Sequence, residues 1–570
     1  YAPFYNKISA LFVLGWLGRL ALLSNAKWMG DWVDSIEDRS LLARIFFFTL
    51  AGFFLTAVYR IGFARTSSRA ISRLYDEATL RTSRFPMAFF DATPVGRIVT
   101  RFSSDYSNLI RIAGGPLAEF FNILFDISIC LVMIGHASLW YLPGCLAVAV
   151  LNMAVYRLNL GKLRKERREV SAIRSPAIAH FAETTQGGRT IRAFERQEIF
   201  SQRFLGLDWN FQRQKLRTIR AILGFSVQMA VSNGLLLLFT GLVGHRLIVT
   251  GQTTVGALGA AFAFVVLIGT NLQMFFDYFS QLEDALTSAE RLDEYLRKPI
   301  EAGQKLPATA EFDVGQPRYP PKQMQAIALT AADQALCAKR SASVEVVDVS
   351  FRYRENLPWV LKNVSFDVPA GSKLGVIGKT GSGKSSLIQV LFRLYSLDRG
   401  TVRINGVSAE QADLNRYRRA IALISQDPTL FQGTLRDNLD MPGDLPDAQL
   451  VAALDHVGLK KWFDRQGAGL ASPVYERGLN FSQGERQLLC MARCLLQNAP
   501  VVVLDEATSS VDPQSEEIMV RATREIFADR TQIIVAHRLS TLKSCDRILK
   551  LENGEVNYFG TARADLVSLL

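Results

Sequence analysis

The chain contains 570 residues, of which 49% are hydrophobic, and it carries a formal net charge of +12. Its mean hydropathy is positive, which fits a chain partly embedded in lipid better than a wholly soluble protein of several domains. Much of the basic excess flanks apolar segments, as the positive-inside rule predicts for cytoplasmic loops, so the charge does not indicate a nucleic-acid partner.

The cysteines and the first residue bound the class of protein further. The spacing of the cysteines is that of neither a zinc site nor a secreted disulfide scaffold, so we expect reduced thiols that pack. The six are Cys130, Cys145, Cys337, Cys490, Cys494 and Cys545. The chain starts at Tyr1 rather than Met, and no leader with a cleavage site precedes the first apolar stretch. We therefore expect a piece of a longer polypeptide.

Six stretches in the first 300 residues are apolar and long enough to cross a hydrocarbon core, which takes roughly 20 helical residues. They are residues 8–24, 45–63, 116–134, 139–156, 222–243 and 255–274. The connections between the second and third stretches and between the fourth and fifth are long and rich in Arg and Lys, whereas the others are short and poor in both. The long connections are therefore predicted to be cytosolic.

Both long basic connections keep apolar residues at helical spacing, as expected if the membrane helices continue into the cytosol as amphipathic rods. Helix-breaking residues predict a turn near Thr93 and another near Gln186. The breakers are Pro94, Gly96, Gly187 and Gly188. We expect the tips of these turns to contact a cytosolic domain.

Residues 299–343 show no sustained period and are rich in Ala, Pro, Gln and Lys, which predicts a partly disordered linker. From residue 344 onward, strand patterns alternate with helix patterns, which is typical of an α/β domain. We find no internal repeat.

A complete phosphate-binding loop lies between an apolar strand and a helix that begins near Ser386, a residue that we also expect to contact the nucleotide. Its residues are Gly378, Lys379, Thr380, Gly381, Ser382, Gly383, Lys384 and Ser385. The glycines allow backbone N–H groups to close around phosphate oxygens, Lys384 reaches the terminal phosphates, and the Ser385 hydroxyl can ligate Mg²⁺. The helix directs the positive end of its dipole toward the same anion. The sequence therefore predicts a nucleoside triphosphate ligand.

About 120 residues later, the apolar run 501–504 ends in two adjacent acids, Asp505 and Glu506. At the end of a buried strand, Asp505 can bind the metal directly or through water, and Glu506 is placed to polarise an attacking water. The alternative is a solvated turn that happens to carry two acids.

These motifs, with the peptide Asn480–Gln487 between them, resemble an ATP-binding-cassette exporter whose membrane domain precedes its nucleotide-binding domain. The resemblance implies that Tyr353 stacks on adenine and that Gln426 is the Q-loop residue, a further metal ligand linking that site to the membrane domain. It implies that His537 contacts the γ-phosphate and that residues 509–512 form the D-loop. Taken alone, Tyr353 could be a strand aromatic, Gln426 a surface amide and His537 a core histidine.

The signature peptide departs from the Leu-Ser-Gly-Gly-Gln of that family. Ser482 and Gly484 are kept as ATP contacts, but a glycine is replaced by Gln483 and the final Gln by Glu485. In the family, the signature of one nucleotide domain closes on ATP held by another. We expect Gln483 to crowd that approach and Glu485 to add negative charge near phosphate. The composite site closed by this signature is thus predicted to be the weaker one, with an asymmetric partner.

Intact phosphate-loop residues beside a variant signature resemble the second half of C-subfamily exporters, the multidrug-resistance-associated type, which implies the N-terminal half of the same polypeptide as partner. Three further segments also resemble the C subfamily: residues 86–98, 353–357 and 426–439. The signature wording also resembles sulfonylurea receptors, which regulate a channel rather than transport. A homodimeric lipid or peptide exporter is the remaining alternative.

Polar residues inside membrane spans are functional candidates because their burial in lipid is costly. Four lie deep: Arg19, Asp126, Gln228 and Asn233. Arg19 could bind anionic cargo or pair with Asp126 as structure. Several phenylalanines line a cavity for amphipathic molecules or simply pack: Phe262, Phe264, Phe275 and Phe276.

We thus expect an all-α six-helix transmembrane domain of type IV exporters over residues 1–298, the linker 299–343, and an α/β P-loop NTPase domain over 344–570. The expected function is ATP-driven export of amphipathic or anionic organic compounds with ATP and Mg²⁺ bound. The expected location is a multi-pass protein of the plasma or vacuolar membrane, with the nucleotide domain in the cytosol.

Overall fold

The computed structural model describes residues 5–34, 39–304, 306, 335–336, 340–505, 525–535 and 542–561. The chain forms two compact units. The membrane unit comprises Tyr1–Ala78 with Val99–Leu296, and the nucleotide unit comprises Thr79–Ile98 with Arg297–Leu570. Glu506, His537, the D-loop residues 509–512 and most of the predicted linker lie outside the described residues.

Long helices dominate the N-terminal half. Among the described residues, six helices are long and apolar enough to cross a membrane, which confirms the six predicted spans. A π-helical turn and a 3₁₀ turn add short irregular pieces at Arg101–Asp105 and Leu139–Tyr141. The helices are α1 (Tyr5–Asp34), α2 (Arg39–Thr82), α3 (Met87–Ala92), α4 (Val95–Thr100), α5 (Tyr106–Ala113), α6 (Pro116–Ala137), α7 (Leu142–Gln186), α8 (Gly188–Ala193), α9 (Gln197–Val249) and α10 (Val255–Arg297).

Several helices are much longer than a bilayer requires. Helix α9 has 53 residues and is therefore about 80 Å long, whereas the hydrocarbon core is only about 30 Å thick. At the first predicted turn, α3 ends before the extended backbone of Thr93. At the second, α7 ends at Gln186 and Gly187 caps it. The α7 rod therefore ends at its predicted helix breaker, whereas the α2 rod already ends at Thr82, and the short helix α3 leads to Thr93.

The surface of the membrane unit is apolar where lipid would contact it. Four phenylalanines of α2 are exposed: Phe46, Phe47, Phe53 and Phe54. Exposed aromatic rings in a row are unfavourable in water but suit a hydrocarbon environment, where the helix satisfies its own backbone hydrogen bonds. The interior is filled by side chains such as Tyr59, Ile129 and Leu236, which are almost fully buried.

Helices α1 and α10 approach each other so closely that their contact excludes side chains. A Cβ atom added to Gly30 would lie 2.6 Å from the Gly256 carbonyl oxygen, and one added to Gly256 would lie 2.2 Å from that of Gly30. The Gly256 N–H also donates to Asp34 Oδ1 over 3.1 Å. Small residues at such crossings allow the close backbone packing that stabilises helix pairs in membranes.

The described residues of the nucleotide unit form three β-sheets. Their orders are β2-β1-β4-β5, β12-β11-β3-β10-β9-β6 and β7-β8. In the six-stranded sheet the neighbours β11, β3, β10, β9 and β6 run parallel, and β12 is antiparallel to β11. The strands are β1 (Val344–Phe351), β2 (Leu361–Val368), β3 (Lys373–Ile377), β4 (Arg399–Ile404), β5 (Val407–Ser408), β6 (Ile421–Ile424), β7 (Gly433–Thr434), β8 (Pro473–Val474), β9 (Val501–Asp505), β10 (Thr531–Val535), β11 (Arg547–Glu552) and β12 (Glu555–Thr561).

The parallel strands are nearly continuous apolar runs, because both faces of the sheet are covered. Every residue of β10 is buried, as are four of the five residues in β3 and in β9. Among the described residues from 344 onward, the helices are α11 (Lys384–Leu391), α12 (Leu414–Arg419), α13 (Leu435–Leu439), α14 (Asp447–His456), α15 (Lys460–Phe463) and α16 (Gln483–Gln497). In such open sheets, ligands bind outside the carboxyl ends of the strands.

The cysteines pack as expected from the sequence. The five that the structure describes are free and buried, and Cys337 lies outside the described residues. On α16, the sulfur atoms of Cys490 and Cys494 both lie against the carbonyl oxygen of Leu423, at 3.6 and 3.3 Å. These two thiols therefore hold α16 against β6.

Candidate nucleotide-binding site

The phosphate loop connects β3 to α11, and its glycines are required by the geometry. Gly383 precedes α11 with a left-handed φ of 104°. A Cβ atom there would lie 2.8 Å from Leu361 Cδ2 and 3.2 Å from the Val360 carbonyl oxygen. Gly381 is also left-handed, at φ 84°, and faces open space. Left-handed glycines of this kind give the loop the sharp curvature that an anion-binding turn requires.

Lys384 and Ser382 give the loop its polar interior. The Lys384 side chain is only 8% exposed, and its Nζ atom donates to the carbonyl oxygens of Gly378 over 2.6 Å and Lys379 over 3.1 Å. The Ser382 hydroxyl is buried and has no hydrogen-bond partner among the described residues. Ser385, by contrast, is exposed at the first turn of α11. A phosphate oxygen would satisfy Ser382, so the loop fits a triphosphate.

Asp505 lies at the same end of the sheet as the phosphate loop, where the parallel strands have their carboxyl ends. It is the last residue of β9 and its side chain is half-buried. Across the sheet, Asp505 pairs with Val535 of β10, and Val535 pairs with Val376 of β3. Because neighbouring strands are about 4.8 Å apart, Asp505 is about 10 Å from the strand that leads into the loop. Such a position suits a ligand of a phosphate-bound metal, whereas the adjoining Glu506 and the predicted γ-phosphate contact His537 lie outside the described residues.

Tyr353, the predicted adenine contact, is tied to the helix of the phosphate loop. Its hydroxyl is 2.8 Å from Ser386 Oγ and donates to Gln389 Oε1 over 2.9 Å. Ser386 is buried, and in the described conformation its hydroxyl contacts Tyr353. The ring of Tyr353 lies edge-on to Phe351, with centroids 5.0 Å apart. The structure thus joins the predicted base and phosphate contacts through α11.

The Q-loop residue Gln426 follows β6, and its side chain is exposed. Its carbonyl oxygen accepts a 3.2 Å hydrogen bond from Gln487 Nε2. Gln487 is fully buried on α16, and its own Oε1 atom has no partner among the described residues. The signature helix therefore supports the Q-loop backbone, a role of Gln487 that the sequence analysis missed. An amide at a buried position of an amphipathic helix was the available signal.

The signature peptide forms the N-terminus of α16. Ser482 is the N-cap residue, and Ser482 with Glu485 forms a capping box: Ser482 Oγ accepts from the Glu485 N–H over 3.2 Å, and Glu485 Oε2 accepts from the Ser482 N–H over 2.8 Å. Gly484 is buried beside them. A carboxylate at this end of a helix is favourable because it faces the positive end of the dipole.

The Gln483 side chain folds back toward its own domain. Its Nε2 atom lies 3.4 Å from the Gln426 carbonyl oxygen and 3.5 Å from Asp427 Oδ1, and its Oε1 atom accepts a hydrogen bond from Arg486. The two contacts of the Nε2 atom are long and exposed. In the described conformation, this amide therefore links the signature to the Q-loop.

Two family models match the chain. The model of the ABC transporter transmembrane region matches residues 5–272, and the ABC transporter model matches residues 361–509. The chain belongs to the ABC transporters. Together the two matches confirm the predicted fold, a six-helix membrane domain followed by an α/β nucleotide-binding domain, and identify the latter as an ABC-type ATPase domain.

The similar proteins confirm the C-subfamily resemblance of this ABC transporter. It is 31% identical to ABC transporter C family member 12 of Dictyostelium discoideum, over 90% of this chain and 37% of that protein. It is 32% identical to rat ATP-binding cassette sub-family C member 2, over 89% of this chain and 31% of that protein. It is 30% identical to the Candida glabrata pleiotropic ABC efflux transporter of multiple drugs YBT1, over 86% and 29% respectively. The chain thus spans about a third of these relatives.

In the membrane unit of this ABC transporter, Arg19 and Asp126 form a two-point ion pair between α1 and α6. Asp126 also accepts a 3.2 Å hydrogen bond from Asn271 Nδ2 on α10. Asp126 is 2% exposed, so a carboxylate without these partners would be costly there. In this structure the Arg19 guanidinium is therefore paired with a carboxylate of the protein itself.

The other polar candidates also bond within the membrane unit. Asn233 Nδ2 donates to the Gly269 carbonyl oxygen over 2.9 Å, and Asn233 Oδ1 accepts from Asn152 over 3.2 Å. Gln228 Oε1 accepts from Asn159 Nδ2 over 2.7 Å. Among the four phenylalanines, Phe264 and Phe276 are buried; the remaining two, Phe262 and Phe275, are partly buried. These amides join α7, α9 and α10.

Proposed function

We propose that this chain is one half of an ATP-driven exporter of amphipathic or anionic organic compounds. The observation that carries the proposal is that the described residues combine six candidate membrane helices with a phosphate loop whose buried Ser382 hydroxyl has no partner among them. The Candida relative is named as an efflux transporter of multiple drugs, which supports the cargo class. The partner would be the N-terminal half of the same polypeptide, in the plasma or vacuolar membrane with the nucleotide unit in the cytosol.

The residues of the site divide the work of ATP hydrolysis. The loop backbone from Gly378 to Ser385 would surround the phosphates, with Lys384 on the terminal ones. Tyr353 would hold the base, and Ser482 and Gly484 would contact ATP across the dimer. Ser385, Gln426 and Asp505 fit Mg²⁺ by their oxygen donors, and that ion would neutralise phosphate charge.

Hydrolysis itself would depend on Glu506 as the base that polarises water, with His537 at the γ-phosphate. ATP binding would bring two nucleotide domains together and open the membrane cavity outward, and hydrolysis would separate them. The capping box supports unequal composite sites, because Glu485 already occupies the end of the helix that the family directs at phosphate.

Cargo contacts are best supported where aromatic side chains surround a small cavity in the membrane unit. Tyr156 stacks on Phe276 with centroids 4.2 Å apart, and Phe225 lies edge-on to Phe276 at 6.4 Å. Arg167 and Asp277 line the same cavity. The cavity measures only about 30 Å³, so in this conformation it could admit no more than one small group of a cargo molecule. Arg19 is a weaker candidate, because Asp126 holds its charge.

The test uses the complete full-length transporter in lipid vesicles, with glutathione conjugates and hydrophobic drugs offered as cargo. We expect cargo to stimulate ATP hydrolysis and the Glu506→Gln variant to abolish the stimulated rate, since a positioned general base contributes about 10²–10⁴-fold. Retained turnover in that variant would contradict the role of Glu506. Absence of stimulation by every cargo in the unaltered protein would contradict export.

The second candidate is a regulator of a channel. The self-capped signature favours it, because a nucleotide domain that closes poorly suits nucleotide sensing better than rapid turnover. A regulator would bind ATP, show little stimulated hydrolysis and copurify with a pore-forming subunit. A homodimeric exporter would instead be supported by stable, active dimers of this chain alone.

A further inference from the structure

The turn between α2 and α4 packs against the nucleotide-binding fold within the nucleotide unit. Ala88 lies against the apolar cluster that contains Phe351 and Tyr395. The Glu301 N–H donates to the Arg84 carbonyl oxygen over 2.7 Å, and the Lys298 ammonium lies 5.4 Å from the centre of the Phe89 ring. This turn, residues 84–93, is therefore held at several points and can transmit a displacement.

Three aromatic rings form a packed group beside the turn. Tyr353 and Tyr395 lie edge to face, with centroids 5.1 Å apart and planes at 90°. Phe351 contacts both, at 5.0 Å from Tyr353 and 5.5 Å from Tyr395. Phe351 is fully buried and Tyr395 is 8% exposed. Because a close-packed group of rings resists independent motion, reorientation of one ring displaces its neighbours.

Tyr395 also reaches the turn directly. Its hydroxyl donates a hydrogen bond to the Asp91 carboxylate on α3. Burial, together with the bond to Asp91, raises the pKa of Tyr395 well above its ordinary value, so the hydroxyl remains a donor at neutral pH. One side chain thus contacts both the predicted adenine residue and the turn.

A cavity of about 400 Å³ lies at this junction. It is lined by Pro86 and Ala88 of the turn and by Tyr353 and Tyr395 of the nucleotide-binding fold. The space permits the Tyr353 ring to turn when a base stacks on it, which close packing on all sides would prevent. The hydroxyl of Tyr353 is meanwhile anchored on α11, so the ring has a fixed pivot.

We infer that Tyr395 is a positioning residue that couples occupancy of the adenine site to the turn at residues 84–93. Stacking of a base on Tyr353 changes the contact between the Tyr353 and Tyr395 rings, and the Tyr395 hydroxyl transfers that change to Asp91. The inference rests on the proposed function for the role of Tyr353 and for cargo stimulation. A coupling of this kind is established by energetic non-additivity rather than by proximity.

The first test is a double-mutant cycle of Tyr395→Phe and Asp91→Ala in the full-length transporter. We expect each single variant to keep the basal ATPase rate and the KM for ATP and to lower cargo stimulation about fivefold. The double variant should lose no more than either single variant, because both remove one hydrogen bond. Tyr417→Phe is the matched control, since its buried hydroxyl donates to the Leu391 carbonyl oxygen over 3.1 Å, away from the turn.

The second test does not depend on transport. Hydrogen exchange of the peptide covering residues 84–98 is followed with and without ATP in the unaltered transporter and in Tyr395→Phe. We expect ATP to slow exchange of this peptide in the unaltered protein and to have little effect on it in the variant. Equal responses in the two proteins, or additive losses in the cycle, would overturn the inference. If hydrogen exchange responds as expected but no cargo stimulates hydrolysis, the export proposal is contradicted and the coupling through Tyr395 is retained.

Discussion

The phosphate loop and the signature peptide both end in the N-terminus of a helix, yet the two termini differ in what satisfies them. Helix α11 has no side-chain cap and no acid in its first turn, and the Ser382 hydroxyl beside it is buried without a partner among the described residues. Helix α16 has a complete capping box with Glu485 in its first turn. The first terminus is left open for an external anion, whereas the second already carries an internal one. The N-termini of α11 and α16 are thus alike in structure but differ in how well each can bind an external phosphate.

The largest expected effect lies in the phosphate loop. Replacement Lys384→Ala removes the buried ammonium that spans the loop, so we expect ATP hydrolysis by the full-length transporter to fall by about 10²–10³-fold. Lys362→Ala is the control, because Lys362 pairs at the surface with Glu555 over 3.7 Å. Similar losses in both variants would mean that the loop is not the place where the triphosphate is held.

A smaller effect is expected when the internal anion is removed from the signature. Gln can complete a capping box as Glu does, so Glu485→Gln alters charge while the helix end is kept. We expect the affinity of the composite site closed by this signature to rise by about 0.3–1 kcal/mol, or roughly twofold to fivefold. The measurement is photoaffinity labelling by trapped nucleotide, at low and high salt.

Because salt screens the dipole interaction, the gain should shrink at high ionic strength. Glu476→Gln, an exposed carboxylate before the signature, is the control and should change nothing. If the nucleotide affinity of the composite site is unchanged or lower in Glu485→Gln, the charge of Glu485 does not explain why the two composite sites are unequal. The inequality would then come from the partner half.

The smallest effect is expected at Gln483. Its hydrogen bonds to Gln426 and Asp427 are long and exposed, and its bond from Arg486 lies within the first turn of the same helix. Gln483→Gly should therefore change the free energy of unfolding by less than about 0.5 kcal/mol. Denaturant unfolding of the transporter in detergent checks this. A loss of several times that size would show that Gln483 anchors the Q-loop and that the two helix ends differ in structure as well as charge.

The sequence predicted the parts of this site that depend on local order. The phosphate loop, the strand ending at Asp505 and the six spans follow from periodicity and motif spacing over short stretches. The spacing of Ser482 and Glu485 is also that of a capping box. Because Glu485 replaces a glutamine of the family signature, the sequence analysis predicted repulsion of phosphate and not this cap. Local patterns thus identified the elements, and the structure showed how their side chains are engaged.

Contacts between distant segments could not be predicted in this way. Arg19 and Asp126 are 107 positions apart, and nothing in either span distinguishes pairing from cargo binding. Tyr395 and Asp91 are 304 positions apart and belong to segments that periodicity assigns to different domains. Tyr395 lies in the bend that follows α11, where its side chain has several directions available and only tertiary packing selects one.

The contact between Gly30 and Gly256 has a consequence for biogenesis. Gly30 emerges from the ribosome long before Gly256, which lies at the start of α10, so the two backbones meet only after the helices between them have been synthesised. Gly30 on α1 therefore lacks its packing partner in the bilayer until α10 has been inserted. A bulky substitution at either glycine should then act on the yield of mature protein, by retaining an unclosed bundle for quality control.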